Sequence, residues 1–140
     1  MGLNFTRNLN VGSQAAQKVN IAKAEIQLVW RSLEKELSAF LGVDINVNFV
    51  KEFHSSSASL LYLSPFGGKD ATGYHIVEVR SGDVHVELFK IKQNEDGFPF
   101  TIIDGQHVYG VENQIDMVAS IGAVLENPQT HIRLDELKER

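Results

Sequence analysis

The chain has 140 residues, a net charge of −5, 43% hydrophobic and 22% charged side chains, and no cysteine. That length holds one domain with its own core, and the missing thiols exclude a disulfide framework or a thiolate metal site. No run approaches the roughly 18 apolar residues of a membrane span, and the start lacks the apolar stretch of a secretory signal, so a cytoplasmic protein is expected.

Residues 1–12, "MGLNFTRNLNVG", have no period and are rich in Asn and Gly, and read as a flexible arm. From Ser13 the pattern changes: Val19, Ala22, Ile26, Val29, Trp30, Leu33, Leu37, Phe40 and Leu41 recur at spacings of three and four. That is the stripe of an amphipathic helix, with Ser13 as cap and Gly42 at the left-handed position after its end.

The period then drops to two. In "VDINVNFVKEF", Val43, Ile45, Val47, Phe49 and Phe53 alternate with polar residues, which marks a half-buried strand. "ASLLYL", "GYHIVEVR" and "DVHVELFKIK" read as further strands, the last two joined at Ser81-Gly82. A turn centred there pairs Arg80 with Asp83 and Glu78 with His85. "QNEDG" is a turn, "FPFTIID" a strand with Pro99 at its start or an edge, and Asp104-Gly105 a hairpin leading into "QHVYG".

A helical period returns from Val111 with Ile115, Val118, Ile121 and Leu125, ended by Asn127 and Pro128. The tail is expected to add one last helical turn, with Ile132, Leu134 and Leu137 as contacts. A helix, about five antiparallel strands and a helix, with no parallel crossover, make an α+β domain over residues 13–140. Both helices are expected on one sheet face.

Two stretches resemble catalytic motifs. Gly67-Gly68-Lys69 looks like a phosphate loop, but Asp70 stands where the metal-binding hydroxyl belongs, and a strand follows where the motif needs a helix. Ser55, Ser56 and Ser57 beside His54 look like a nucleophile with its base, yet the strand-turn-helix elbow is absent. Both read as strand reversals.

Among the histidines, His54, His75, His85, His107 and His131, none has the spacing that puts two metal ligands on one helix face. Glu78, His85 and Glu87 share one face of a hairpin, which reads as its solvated side, and His75 falls on the apolar side. Asp104 and Glu112 are explained by their turn and by a helix start. No metal or cofactor is expected.

The first 42 residues carry five basic and three acidic side chains, and the rest of the chain eight and fifteen. An acidic body is a poor surface for nucleic acid, which needs clustered Lys and Arg. The first helix, about 40 Å long over residues 13–41, exceeds a sheet about 24 Å wide. Val19, Ala22 and Ile26 are therefore expected to pair with a second copy of the chain.

The expected function is that of a small non-catalytic protein-binding module, an inhibitor, immunity-type or adaptor protein, acting as a homodimer. Its contact residues are expected at Phe66, Gly67, Gly68 and Lys69 and on the sheet face of His85 and Glu87. The alternative is a small ligand-binding or hydrolytic enzyme built on His54, Ser55 and Ser57, with His75 or His107 as base. Single-strand nucleic-acid binding through Tyr62, Tyr74 and Phe89 is the third reading.

Overall fold

The computed structural model describes residues 3–53 and 71–138. Helix α1 (Thr6–Leu41) leads into strands β1 (Asn46–Phe53), β2 (Ala71–Ser81), β3 (Val84–Asn94), β4 (Gly97–Asp104) and β5 (His107–Val111). Helices α2 (Gln114–Leu125) and α3 (Pro128–Lys138) follow. The strands pair antiparallel in sequence order, β1-β2-β3-β4-β5, so the α+β architecture is a long helix, a five-stranded meander and two C-terminal helices. The expected strand "ASLLYL" lies outside the described residues.

Helix α1 begins at Thr6 rather than Ser13, so most of the stretch expected as an arm is helical. Its N-cap, Phe5, makes no side-chain cap bond; instead Asn4 Oδ1 accepts from the Thr6 N–H at 2.9 Å. At the other end Gly42 adopts φ 72°, and its N–H donates to the Ser38 carbonyl at 2.9 Å. A glycine carries no Cβ to clash in that left-handed conformation. Two α1 side chains then hold β1: the Ile45 N–H donates to Ser38 Oγ at 3.0 Å and the Val47 N–H to Glu34 Oε2 at 3.1 Å.

The register sorts the strands into two faces. Val47 lies opposite Val79, Phe49 opposite Val77, Val77 opposite Phe89, Ile91 opposite Ile102, and Phe100 opposite Val111. This face meets Trp30, Leu33, Leu37 and Leu41 of α1 and Met117, Ile121 and Val124 of α2 in one core. The Trp30 ring sits edge-on to Phe49 at 5.1 Å and stacks near Phe89 at 6.1 Å between centroids. Burying an aromatic side chain of this kind stabilises by about 3 kcal/mol or less relative to exposure.

Three expectations need correction. The β2–β3 turn is Gly82-Asp83, with Ser81 opposite Val84, Arg80 opposite His85 and Glu78 opposite Glu87, not Arg80 with Asp83. Gly82 takes φ 61°, which centres the turn one residue later than expected. In α2 the inward stripe is Met117, Ser120, Ile121 and Val124, while Ile115 and Val118 point outward. The tail forms a full helix, α3, with Leu134 and Leu137 buried but Ile132 exposed. Proline at its first position suits a helix start, where the missing N–H has no partner to lose.

Candidate functional site

The outer sheet face carries the polar groups picked out by alternation. Glu78, His85 and Glu87 do share it, opposite the buried Val77, Val79 and Val86, but only His85 and Glu87 are solvated as expected; Glu78 is buried. Arg80 Nη2 lies 3.4 Å from Glu78 Oε1, and Lys90 pairs with Glu52 across β2. Lys92 sits over the Tyr74 ring, 5.9 Å from its centroid. Cations therefore interleave with the carboxylates. Among the described residues no three His, Asp or Glu side chains form a metal-binding group.

The remaining candidates separate. Phe66, Gly67, Gly68 and Lys69, with His54, Ser55, Ser57 and Tyr62, lie outside the described residues. His75 is on the inner face of β2, opposite Ile91, and its buried Nδ1 has no hydrogen-bond partner among the described residues. His107 lies at the start of β5, stacked near Tyr109 at 6.4 Å. Two strands separate β2 from β5, about 14 Å at sheet spacing. Phe89 is in the core and Tyr74 on the outer face, so they do not make one stacking platform for bases.

Other polar groups are accounted for locally. Asp104 accepts from Asn127 Nδ2 at 3.3 Å, and Glu112 precedes the helix, its N–H donating to Asp116 Oδ2 at 3.2 Å. His131 Nε2 lies 2.7 Å from the Leu125 carbonyl, with its ring edge-on to Phe40.

What the sequence reading missed is apolar. A groove of about 440 Å³ runs between α1 and α2, lined by Leu28, Val29, Val118, Ile121 and Leu125, with Ser32, Glu36 and Gln114 among its polar groups. Beside it the outward side of α2 shows Ile115, 81% exposed, and Val118, 56% exposed. A second cavity, about 290 Å³, opens between α1 and the inner sheet face, lined by Ile26, Trp30, Phe49, Ile91 and Phe100 under a rim of Lys23, Gln27, Gln93 and Asn94.

No family model, curated protein or solved structure matches this chain.

The bearing of these surfaces is set by α1. Ala22 and Ile26 turn onto their own chain, since a Cβ on Gly97 would lie 3.0 Å from Ala22 Cβ and 3.6 Å from Ile26 Cδ1. Val19 stays half-buried, and every residue from 3 to 18 is exposed. About 20 Å of helix, from Thr6 to residue 18, therefore projects past the sheet at 1.5 Å per residue.

Among the described residues no helix is long and apolar enough to cross a membrane.

Proposed function

We propose that this chain is a non-catalytic protein-binding module, cytoplasmic and homodimeric, whose α1–α2 groove takes an amphipathic helix of a partner protein. The observation that carries the reading is the outward side of α2. Its twelve residues include one charged side chain, Asp116, and Ile115 and Val118 face away from the core. A helix that is apolar on all sides belongs in a buried setting, and Leu28, 57% exposed on α1, extends the same patch. Contiguous apolar patches of this kind mark docking surfaces in soluble proteins.

The groove also specifies its occupant. Two packed helices leave a furrow that a third helix fills with anchors at i, i+3 or i+4 and i+7. The lining holds one carboxylate, Glu36, and no cation, so the fitting helix carries Lys or Arg beside its apolar stripe. A labelled synthetic helix of alternating Leu and Lys at that spacing is expected to bind with micromolar affinity by anisotropy. Val118→Glu and Leu28→Glu are each expected to weaken it tenfold or more. Equal binding by wild type and both variants would refute the groove.

The hydrolytic alternative has one observation in its favour, the buried Nδ1 of His75, which has no partner among the described residues. Turnover of a nitrophenyl ester or phosphate by the wild type, lost in His75→Ala and in Ser57→Ala, would establish it. A wild type inert on both substrate classes removes it.

A further inference from the structure

We infer that the projecting half of α1 pairs antiparallel with the same segment of a second copy, and that Phe5 of each helix reaches the cavity beside Lys23 and Trp30 of the other. This rests on the homodimeric reading proposed above and names the surfaces that would form the dimer.

Phe5, Leu9, Gly12, Ala16 and Val19 follow one another at alternating steps of four and three, and the same alternation continues through Lys23, Ile26, Trp30, Leu33 and Leu37. An average step of 3.5 is what keeps a stripe facing a neighbouring helix along its length. From Ile26 onward the stripe packs on its own sheet. Before Val19, which is half-buried, the stripe is exposed among the described residues: Phe5 is 63% exposed and Leu9 70%. A helical stretch this short without tertiary packing is marginal in water, so the projecting segment gains most from a partner.

The segment is complementary to itself when reversed. In an antiparallel pair centred near Gln14, Leu9 faces Val19, Gly12 faces Ala16 and Phe5 faces Lys23. Gly12 and Ala16 at the middle let the two backbones approach, and the bulky side chains lie towards the ends. The overlap, residues 5–23, spans about 28 Å: the projecting part to residue 18 and one further turn that borders the body. Such a pair is isologous, each copy giving and receiving the same contacts.

Charge points the same way. The first 24 residues contain no carboxylate and carry Arg7, Lys18 and Lys23. The end of the body that the second helix would approach carries exposed Glu95 and Asp96, on the turn beside Gly97, which touches Ala22. Arg7 of the second copy falls opposite Ile21 in this register, within one turn of that contact. The cavity opens at the same place, with Lys23 on its rim and Ile26, Trp30 and Phe100 inside. Its volume of about 290 Å³ accommodates a phenyl ring.

The absence of cysteine makes the test direct. Leu9→Cys and Val19→Cys chains, mixed and oxidised mildly, are expected to give a covalent heterodimer, while neither variant alone cross-links efficiently. The wild type is expected to sediment as a dimer at micromolar concentration, and Leu9→Asp as a monomer with its fold unchanged. Trp30, the one tryptophan, reports on the cavity: its fluorescence should shift on dilution in the wild type and stay constant in Leu9→Asp.

A wild type that is monomeric at 100 μM (about the upper end of weak dimers) overturns the pairing, as does cross-linking of Leu9→Cys to itself in preference to Val19→Cys. Either result leaves the groove untouched, because it lies along Leu28 and Ser32, a different side of α1 from Trp30. Failure of the synthetic helix to bind a dimeric wild type would instead remove the groove and keep the pairing.

Discussion

The Arg133 guanidinium donates from Nε to the Glu87 carbonyl at 2.8 Å, and its Nη2 donates to the neighbouring Leu88 carbonyl at 3.1 Å. Those carbonyls need it because β4 ends at Asp104, and its ladder with β3 reaches only the Lys90–Ile103 pair. The β2–β3 register also slips between Val77 and Glu78, which leaves Leu88 as an extra residue in β3. Helix α3 thus closes the part of β3 that β4 leaves open, one of the ways a protein protects a sheet edge. Arg133→Leu is expected to lower stability by about 1–3 kcal/mol, the cost of leaving such acceptors unpaired. Arg133→Lys should recover part of it, since an ammonium lacks the forked geometry. Urea midpoints with unchanged slopes measure both; an unchanged midpoint for Arg133→Leu would mean water replaces the clamp.

Gly97 gives the second prediction. It has φ 92°, and an added Cβ would lie 3.0 Å from Ala22 Cβ, the root of a side chain that cannot swing away. Gly97→Ala is expected to cost about 1–2 kcal/mol from the backbone alone. If the contact adds to that, the double change Gly97→Ala with Ala22→Gly will melt above the single variant after the cost of a helix glycine is subtracted. A single variant as stable as wild type would mean that α1 shifts freely on the β3–β4 turn.

The sequence exposed some of this plainly and hid the rest for physical reasons. Leu33, Leu37 and Leu41 with Gly42 show a helix and its end, because burial and backbone freedom each leave a residue signature. The turns at Gly82, Glu95-Asp96 and Gly105 are legible for the same reason, although the structure sets the first at Gly82-Asp83 and the last at Gly105-Gln106, each one residue later than the sequence places it. The Leu88 bulge is not, since an extra residue in a strand changes pairing without changing composition; it sets Phe89 rather than Leu88 opposite Val77, while the later turn alone puts Glu78 opposite Glu87 instead of His85. The projecting end of α1 was obscured by Asn8, Asn10 and Gly12, which are poor helix formers set around an unbroken apolar spacing. As for the site, alternation placed His85 and Glu87 correctly on the outer face. It could not show the groove, because a period of 3.6 locates a stripe without saying which of two apolar sides turns inward.

Thr130 gives the third prediction. It is fully buried, and its hydroxyl donates to the Val124 carbonyl at 2.7 Å, joining α3 to the end of α2. Thr130→Val keeps the shape and removes the donor, so about 1–2 kcal/mol should be lost. Thr130→Ser keeps the bond and removes one methyl group, about 1 kcal/mol in a buried site. Thermal melts of the pair separate the two contributions. A valine variant more stable than the serine variant would show that packing, not the hydrogen bond, fixes the α2–α3 angle.

The last prediction concerns which side of α2 is core. Its two apolar stripes interleave: Met117, Ile121 and Val124 are buried, and Ile115 and Val118 are exposed. Removing most of the Met117 side chain leaves a cavity, so Met117→Ala should cost about 2–5 kcal/mol. Ile115→Lys and Val118→Lys change only side chains already in water and should stay within about 0.5 kcal/mol of wild type. Lysine at 115 or 118 should also raise solubility, because an exposed apolar patch promotes association. Chemical denaturation of all three variants decides the matter. If Ile115→Lys falls as far as Met117→Ala, α2 is rotated, the groove is interior, and no partner helix fits there. If only Met117→Ala falls, the apolar outward side of α2 contributes nothing to folding, and its apolar character is left for a partner to explain.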